Sequence, residues 1–261
     1  MGNTPNGSVE RAGGLGAWAP SHVPPRGHDL TPAQELACAL RHLDDTGFCE
    51  NLSGHITWQL PGDDHLLANP WGYWWAEVRG RDLLRLDIDG RVTEGQWDVT
   101  PAIHIHTELH RARPDARVVV HSHPPYASVL AAIGELPGIV HQNSSILADE
   151  MVLVVDYDGE VDSPVLGQEL AARIGPASVA LLVSHGVIVT APTMAEAVYK
   201  SVLFERTCWM HHQIRLVGRL AHDIAPAFQR QLKASLVERA ASVYWDGAVR
   251  QLLAREPEVL D

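Results

Sequence analysis

Val118-Val-Val-His-Ser-His123 is an apolar run that ends in two histidines one residue apart. Alternate residues of a strand point to one side, so His121 and His123 can aim their imidazoles at a common point. Packing explains such a pair poorly, because two half-satisfied rings would sit together at a strand end. A shared divalent ion explains it directly, and a catalytic site of that kind takes three protein ligands. Leu182-Val-Ser-His-Gly186 places another histidine after an apolar run, with a glycine that permits a tight turn. Taken by itself, His185 reads as a satisfied core or turn histidine.

The elements that must position these residues follow from pattern. Thr31-Pro-Ala-Gln34 is a capping box with proline at the first helical position, and Leu36, Ala37, Leu40 and Leu43 follow at helical spacing until Gly47. A polar loop containing Asn51, Ser53 and His55 leads to a strand at 56–60. Further strands are expected at 66–68 and 84–88, with Asp89-Gly90 as a hairpin turn before Arg91-Val92. Thr100-Pro101 opens a second helix that runs to Ala112, and Arg113-Pro114-Asp115 breaks it before the strand that carries the histidine pair. A helix over 126–133, buried strands at 151–155 and 180–183, and a helix opened by Thr193-Met-Ala-Glu196 and running to Val217 come next. Residues 226–256 read as helical. The pattern predicts an α/β/α or α+β layered single domain over 28–261 with a central, mainly antiparallel sheet. Residues 1–27, rich in Gly, Pro, Asn and Ser, read as a flexible N-terminal arm without the apolar core of a signal peptide.

A formal charge of −12 with no basic run argues against nucleic acid and anionic membranes as partners, and for a small-molecule substrate. No apolar stretch reaches the roughly 20 residues of a membrane-spanning helix. Cys38, Cys49 and Cys208 are odd in number and widely spaced, which predicts buried thiols in a reducing compartment and a cytoplasmic protein.

Arg113-Pro-Asp-Ala-Arg-Val-Val-Val-His-Ser-His123, followed by Ser184-His-Gly-Val-Ile-Val-Thr190 and the helix containing Glu196-Ala197, resembles the class II aldolase/adducin family from about Leu36 to about Gln213. The resemblance implies an α/β chain of α/β/α fold, a three-histidine metal site at His121, His123 and His185, one divalent ion per chain, and symmetric oligomers, a homotetramer here, with sites near subunit boundaries. Zinc is the expected ion, with iron or manganese as alternatives. Members of the family are sugar-phosphate aldolases, a dehydratase, aromatic decarboxylases, iron-dependent oxygenases of prenylated phenylpyruvates, and the non-catalytic adducins.

The chain departs from the aldolase pattern in two places. The resemblance aligns a family histidine with His106 and the aldolases' catalytic glutamate, four residues earlier, with Ala102. His106 or His104 could replace that acid/base, although a histidine-rich helix also fits a solvated or hydrogen-bonded structural role, which is the reading preferred for His104 and His110. Tyr157 and Tyr126 are further candidate proton donors. The phosphate-cradling loops correspond to Glu50-Asn-Leu-Ser-Gly54, which keeps Asn51 and Ser53, and to Asn69-Pro-Trp-Gly-Tyr-Trp-Trp75, which is aromatic. Neither is a glycine-rich anion nest backed by Lys or Arg. Trp71 and Trp74 could line an aromatic substrate pocket, while core or subunit packing explains any single ring as well. The expected enzyme is therefore a metal-dependent carbon–carbon lyase, an aldolase or decarboxylase, acting on a non-phosphorylated aromatic oxo or hydroxy acid. An iron-dependent oxygenase and an adducin-like binding protein are the alternatives.

Overall fold

The computed structural model describes residues 22–156, 159–219 and 221–261. Helix α1 (Pro32–Asp45) starts with the expected capping box: the Thr31 hydroxyl accepts from the Gln34 amide, and the Gln34 carboxamide accepts from the Thr31 amide. Among the described residues, strands β1 (His55–Gln59), β2 (Leu66–Ala68), β3 (Leu84–Leu86), β4 (Val92–Glu94), β5 (Val118–Ser122), β6 (Met151–Val154), β7 (Val179–Leu182) and β8 (Val187–Ala191) form one eight-stranded sheet. Their order is β4-β3-β2-β1-β5-β8-β7-β6, and only the pair β6 and β7 is parallel.

Strand alternation gives this sheet two apolar faces. Ile56, Val118, Val120, Val187 and Val189 pack on one side with α1, α3 (Pro125–Ile133), α5 (Met194–Val217) and α7 (Ala241–Arg255). On the other side Val119 and Ile188 meet Ile105 and Leu109 of α2 (His104–Ala112) and Leu170, Ala171 and Ile174 of α4 (Pro164–Ile174). The result is the α/β/α layering that the family resemblance implied, one of the two layerings the pattern allowed. Helix α6 (Pro226–Ser235) joins α7 through a π-turn, Leu236–Ala240.

Several elements differ from the sequence reading. The second helix does not begin at Thr100. A 3-10 turn, Pro101–Ile103, comes first, Ala102 leaves helical geometry (ψ 21), and α2 starts at His104. Ala102 and His106 therefore do not share one continuous helical face. Helix α4 was not anticipated, because its exposed Val165 and Leu166 blur the apolar stripe. Strand β8, the motif after His185, is a central strand of the sheet. Thr193 caps α5 through the Glu196 amide, but the Glu196 carboxylate pairs with Lys200 at 3.2 Å, so only half of that capping box forms.

The expected arm falls largely on residues 1–21, outside the described residues. Residues 22–27 run against α7, where Arg26 pairs with Asp246 at 2.9 Å and Arg250 donates to the Pro24 and Pro25 carbonyls. Cys38 and Cys208 are buried. Cys49 is half-buried and donates to the Asn51 carbonyl. Among the described residues no helix is long and apolar enough to cross a membrane.

Candidate metal centre and its cavity

The two outer histidines of the cluster are placed by the ends of neighbouring strands. Strand β5 lies between β1 and β8, with His121 opposite His55 on one side and Ile188 on the other. His123 follows the end of β5. His185 sits in the tight turn from β7 to β8, where its amide donates to the Leu182 carbonyl at 3.1 Å and the preceding Ser184 has a left-handed φ of 57. Gly186 closes this turn against the neighbouring chain. A Cβ there would lie 2.5 Å from His123 Cδ2 and 2.6 Å from the Ser122 carbonyl oxygen, so only glycine lets the two segments approach. The ligand atoms of His121, His123 and His185 consequently lie within 4.8 Å of one another.

Hydrogen bonding prepares these rings for a cation. His121 Nδ1–H donates to the Val187 carbonyl at 3.0 Å, which leaves the Nε2 lone pair for the cluster. His123 Nδ1 is 3.4 Å from a Glu50 carboxylate oxygen, and its Nε2 is buried without a hydrogen-bond partner. Leaving such an atom unpaired costs on the order of 1–3 kcal/mol, a cost that a bound ion would remove. Burial holds His121 well below the usual histidine range, and burial with the neighbouring His123 brings His185 down to about 4. His123 is lowered by burial and raised part of the way back by Glu50. Neutral imidazoles are the ligating form, so these three residues fit a divalent ion.

The cluster lines a cavity of about 170 Å³, a scale comparable with the cavity of about 150 Å³ that accepts a benzene ring. Ser53, His55, Thr100, Ala102 and Trp71 share the lining, as do Glu160 and Asp162, and among the described residues no Lys or Arg does. A wider concavity of about 760 Å³ on the Cys49–Glu50 side shares Ser53, His123 and His185, so the cluster is open in two directions. Beneath the 51–55 loop, Trp75 is fully buried. Its indole N–H donates to the Gly54 carbonyl at 3.0 Å, and its ring fills the space that a Cβ on Gly54 would need.

The remaining residues singled out in the sequence are placed unevenly. Ser53 and Trp71 line the cavity, Trp71 with 59% of its surface exposed. Asn51, at φ 44, folds its carboxamide oxygen back onto the Leu52 amide and the Ser53 hydroxyl and does not line it. Trp74, 51% exposed, lies outside it as well, and Tyr73 packs on Trp97. His106 is wholly buried between Thr57 and His55 rather than at the cavity surface. His104 lines neither opening, and its carbonyl packs on Gly167 of α4. Tyr126 donates its amide to Glu205 at the start of α3. Tyr157 lies outside the described residues. His55, Glu160 and Asp162 reach the cavity without having been singled out. The first was legible as one of two polar residues, His55 and Thr57, alternating on a strand, whereas the acids come from an irregular segment with no sequence signal of its own.

The family model for the class II aldolase and adducin N-terminal domain matches residues 34–212. The decarboxylase NovR of Streptomyces niveus is 31% identical over 209 residues, covering 77% of each chain. A 4-hydroxy-3-prenylphenylpyruvate oxygenase/4-hydroxy-3-prenylbenzoate synthase of Streptomyces roseochromogenus subsp. oscitans is 33% identical over 177 residues, 66% of this chain and 64% of the relative. Among solved structures, the L-fuculose 1-phosphate aldolase of Glaciozyma antarctica PI12 superposes with a TM-score of 0.76 at 21% identity, over 88% of this chain and 91% of that one.

Proposed function

Because the chain belongs to the class II aldolase and adducin family, we propose that it is a divalent-metal-dependent carbon–carbon lyase, an aldolase or decarboxylase, acting on a non-phosphorylated, aromatic oxo or hydroxy acid. The observation that carries this reading is the neutral cluster of His121, His123 and His185 at the cavity floor, with His123 Nε2 buried and unpaired. When bound there, a divalent ion would polarise a substrate oxygen and stabilise the negative charge that develops as the adjacent carbon–carbon bond breaks. The Val187 carbonyl holds the His121 ring in the tautomer that presents Nε2.

The lining supports the substrate class by what it offers and what it repels. With two carboxylates, Glu160 and Asp162, and no Lys or Arg among the described lining residues, a phosphate group meets no cationic side chain there. A single carboxylate would have its partner at the three-histidine site. Trp71 offers an aromatic wall. Ala102 brings a methyl group to the cavity at the position aligned with the aldolases' glutamate, so proton handling by a carboxylate is lost there. That loss, together with the oxygenase at 33% identity, favours one second reading, an iron-dependent oxygenase on the same scaffold.

The test is turnover of aromatic 2-oxo and 2-hydroxy acids against a panel of sugar phosphates, using protein loaded with zinc, manganese or ferrous iron, with and without oxygen. Metal content is measured in parallel for wild type and His185→Ala. The reading expects about one ion per wild-type chain, loss of it in the variant, and oxygen-independent cleavage of the aromatic acids. Efficient cleavage of a sugar phosphate would overturn the substrate class, and a strict requirement for iron with oxygen would select the oxygenase.

A further inference from the structure

We propose that His55 is the substrate-facing hydrogen-bond acceptor of this cavity, set in one tautomer by a one-way chain of hydrogen bonds running from the Ala116 carbonyl through His110, Thr57 and His106. It rests on the cavity being a substrate site, as argued above, and names the residue that would select a hydroxyl there.

The direction of the chain follows from counting protons. The Ala116 carbonyl can only accept, so His110 Nδ1, 2.6 Å away, must carry the proton. Burial pushes the His110 pKa down to about 4, so the ring is neutral at pH 7 and its Nε2 has a lone pair. The Thr57 hydroxyl, 2.8 Å from that nitrogen, must donate to it. A hydroxyl has one proton, and it is now used. The 2.7 Å contact from Thr57 Oγ1 to His106 Nδ1 must therefore be a bond donated by His106. His106 is wholly buried, and burial with the neighbouring His110 and His121 holds it well below the usual histidine range, so its ring is neutral and Nε2 is bare. That nitrogen accepts from His55 Nδ1–H at 2.6 Å. His55, in turn, is left with an Nε2 lone pair and no further hydrogen-bond partner among the described residues. Its ring lines the cavity with its centroid 4.7 Å from that of His121.

An acceptor next to three cation-binding rings discriminates between substrates. A ligand that brings an O–H to this point, as an enol, phenol or alcohol, satisfies Nε2, whereas its methyl ether leaves that nitrogen desolvated and unpaired. Strand geometry maintains the arrangement. His55 and Thr57 are two residues apart on β1 and so face α2 together, and His55 is in register with His121 on β5. His106, Thr57 and His110 act as positioning residues, and His55 alone would touch substrate.

The test uses long-range proton–nitrogen NMR correlations of the histidine rings in the full chain, with His55, His106 and His110 assigned by loss of signal in His55→Gln, His106→Gln and His110→Gln. All three rings are expected as the Nδ1–H form. A His55 ring protonated at Nε2 would overturn the proposal. Zinc is then titrated in, and His121, His123 and His185 should show coordination shifts while His55 Nε2 does not. A coordination shift at His55 would make it a ligand and overturn its role as acceptor, and failure of zinc to bind at all would count against the metal-site reading while leaving the tautomer result standing. Finally, salicylate and 2-methoxybenzoate are compared as probes on zinc-loaded wild type, Thr57→Val and Thr57→Ser. Salicylate should be preferred by about tenfold in wild type and Thr57→Ser, and the preference should collapse in Thr57→Val. No difference between the probes in wild type, absence of binding included, would remove His55 from the substrate site.

Discussion

Gly186 touches His123 so closely that the histidine cluster has no room for a single added methyl. In Gly186→Ala the new Cβ would meet both the imidazole and the Ser122 carbonyl, and one of these is backbone. The expected outcome is a stability loss of about 1–3 kcal/mol, read by urea denaturation, together with reduced metal content by elemental analysis. His110 provides a second prediction at this scale. Its pKa is about 4 in the fold against the usual 6.5, with burial as the cause. The unfolded chain therefore binds its proton first as pH falls, so the group's contribution is complete above the unfolded value and is lost between about 6.5 and 4. In His110→Gln the difference in unfolding free energy between pH 7.5 and pH 5 should shrink by about 2 kcal/mol, even if the variant is less stable at both. Equal pH slopes for wild type and variant would show that His110 is not held neutral by the fold.

Strands β1, β5 and β8 supply rigid positions, but the loop carrying Ser53 and Gly54 depends on one indole. Trp75 is fully buried beneath it and donates to the Gly54 carbonyl. Trp75→Ala should cost about 3–5 kcal/mol and loosen Ser53, weakening ligand binding without removing the three histidines. Unfolding curves measured beside metal content separate these effects. A variant that loses its metal at full stability would contradict the assignment of Trp75 to the loop rather than to the cluster.

The molecule exposes more apolar surface than its layered core explains. Trp71, at the cavity, and Trp74, outside it, are 59% and 51% exposed, and Leu216 and Val217 at the end of α5 are 70% and 71% exposed. Scattered apolar residues are ordinary on a surface, but large aromatic ones beside an opening favour burial by a second copy. The proposal is a homo-oligomer, a tetramer, whose neighbour narrows the wide opening on the Cys49–Glu50 side. Sedimentation at micromolar concentration should show a species several times the 28.6 kDa chain, and Trp74→Glu should shift it toward the monomer. A single 28.6 kDa species for wild type would dismiss the interface.

The sequence by itself pointed to layered elements and to His121 and His123 as a pair, whereas His185 joined them only through the family resemblance. Periodicity, caps and breakers are local properties, and His-x-His at a strand end already implies two rings on one side. It also placed the hairpin at Asp89-Gly90, where Gly90 takes a φ of 86 that glycine adopts freely. Pairing decided the rest. His106 read as a candidate acid/base and His110 as structural, yet both turn inward to Thr57, and His55 becomes important only because β1 pairs with β5 in a register that sets it opposite His121. Asn51 kept the expected identity but spent its hydrogen bonds on its own loop, while Glu160 and Asp162 entered from a segment far along the chain. Register and loop closure are long-range contacts that no window of sequence contains, which is why the histidine pair was legible and the walls around it were not.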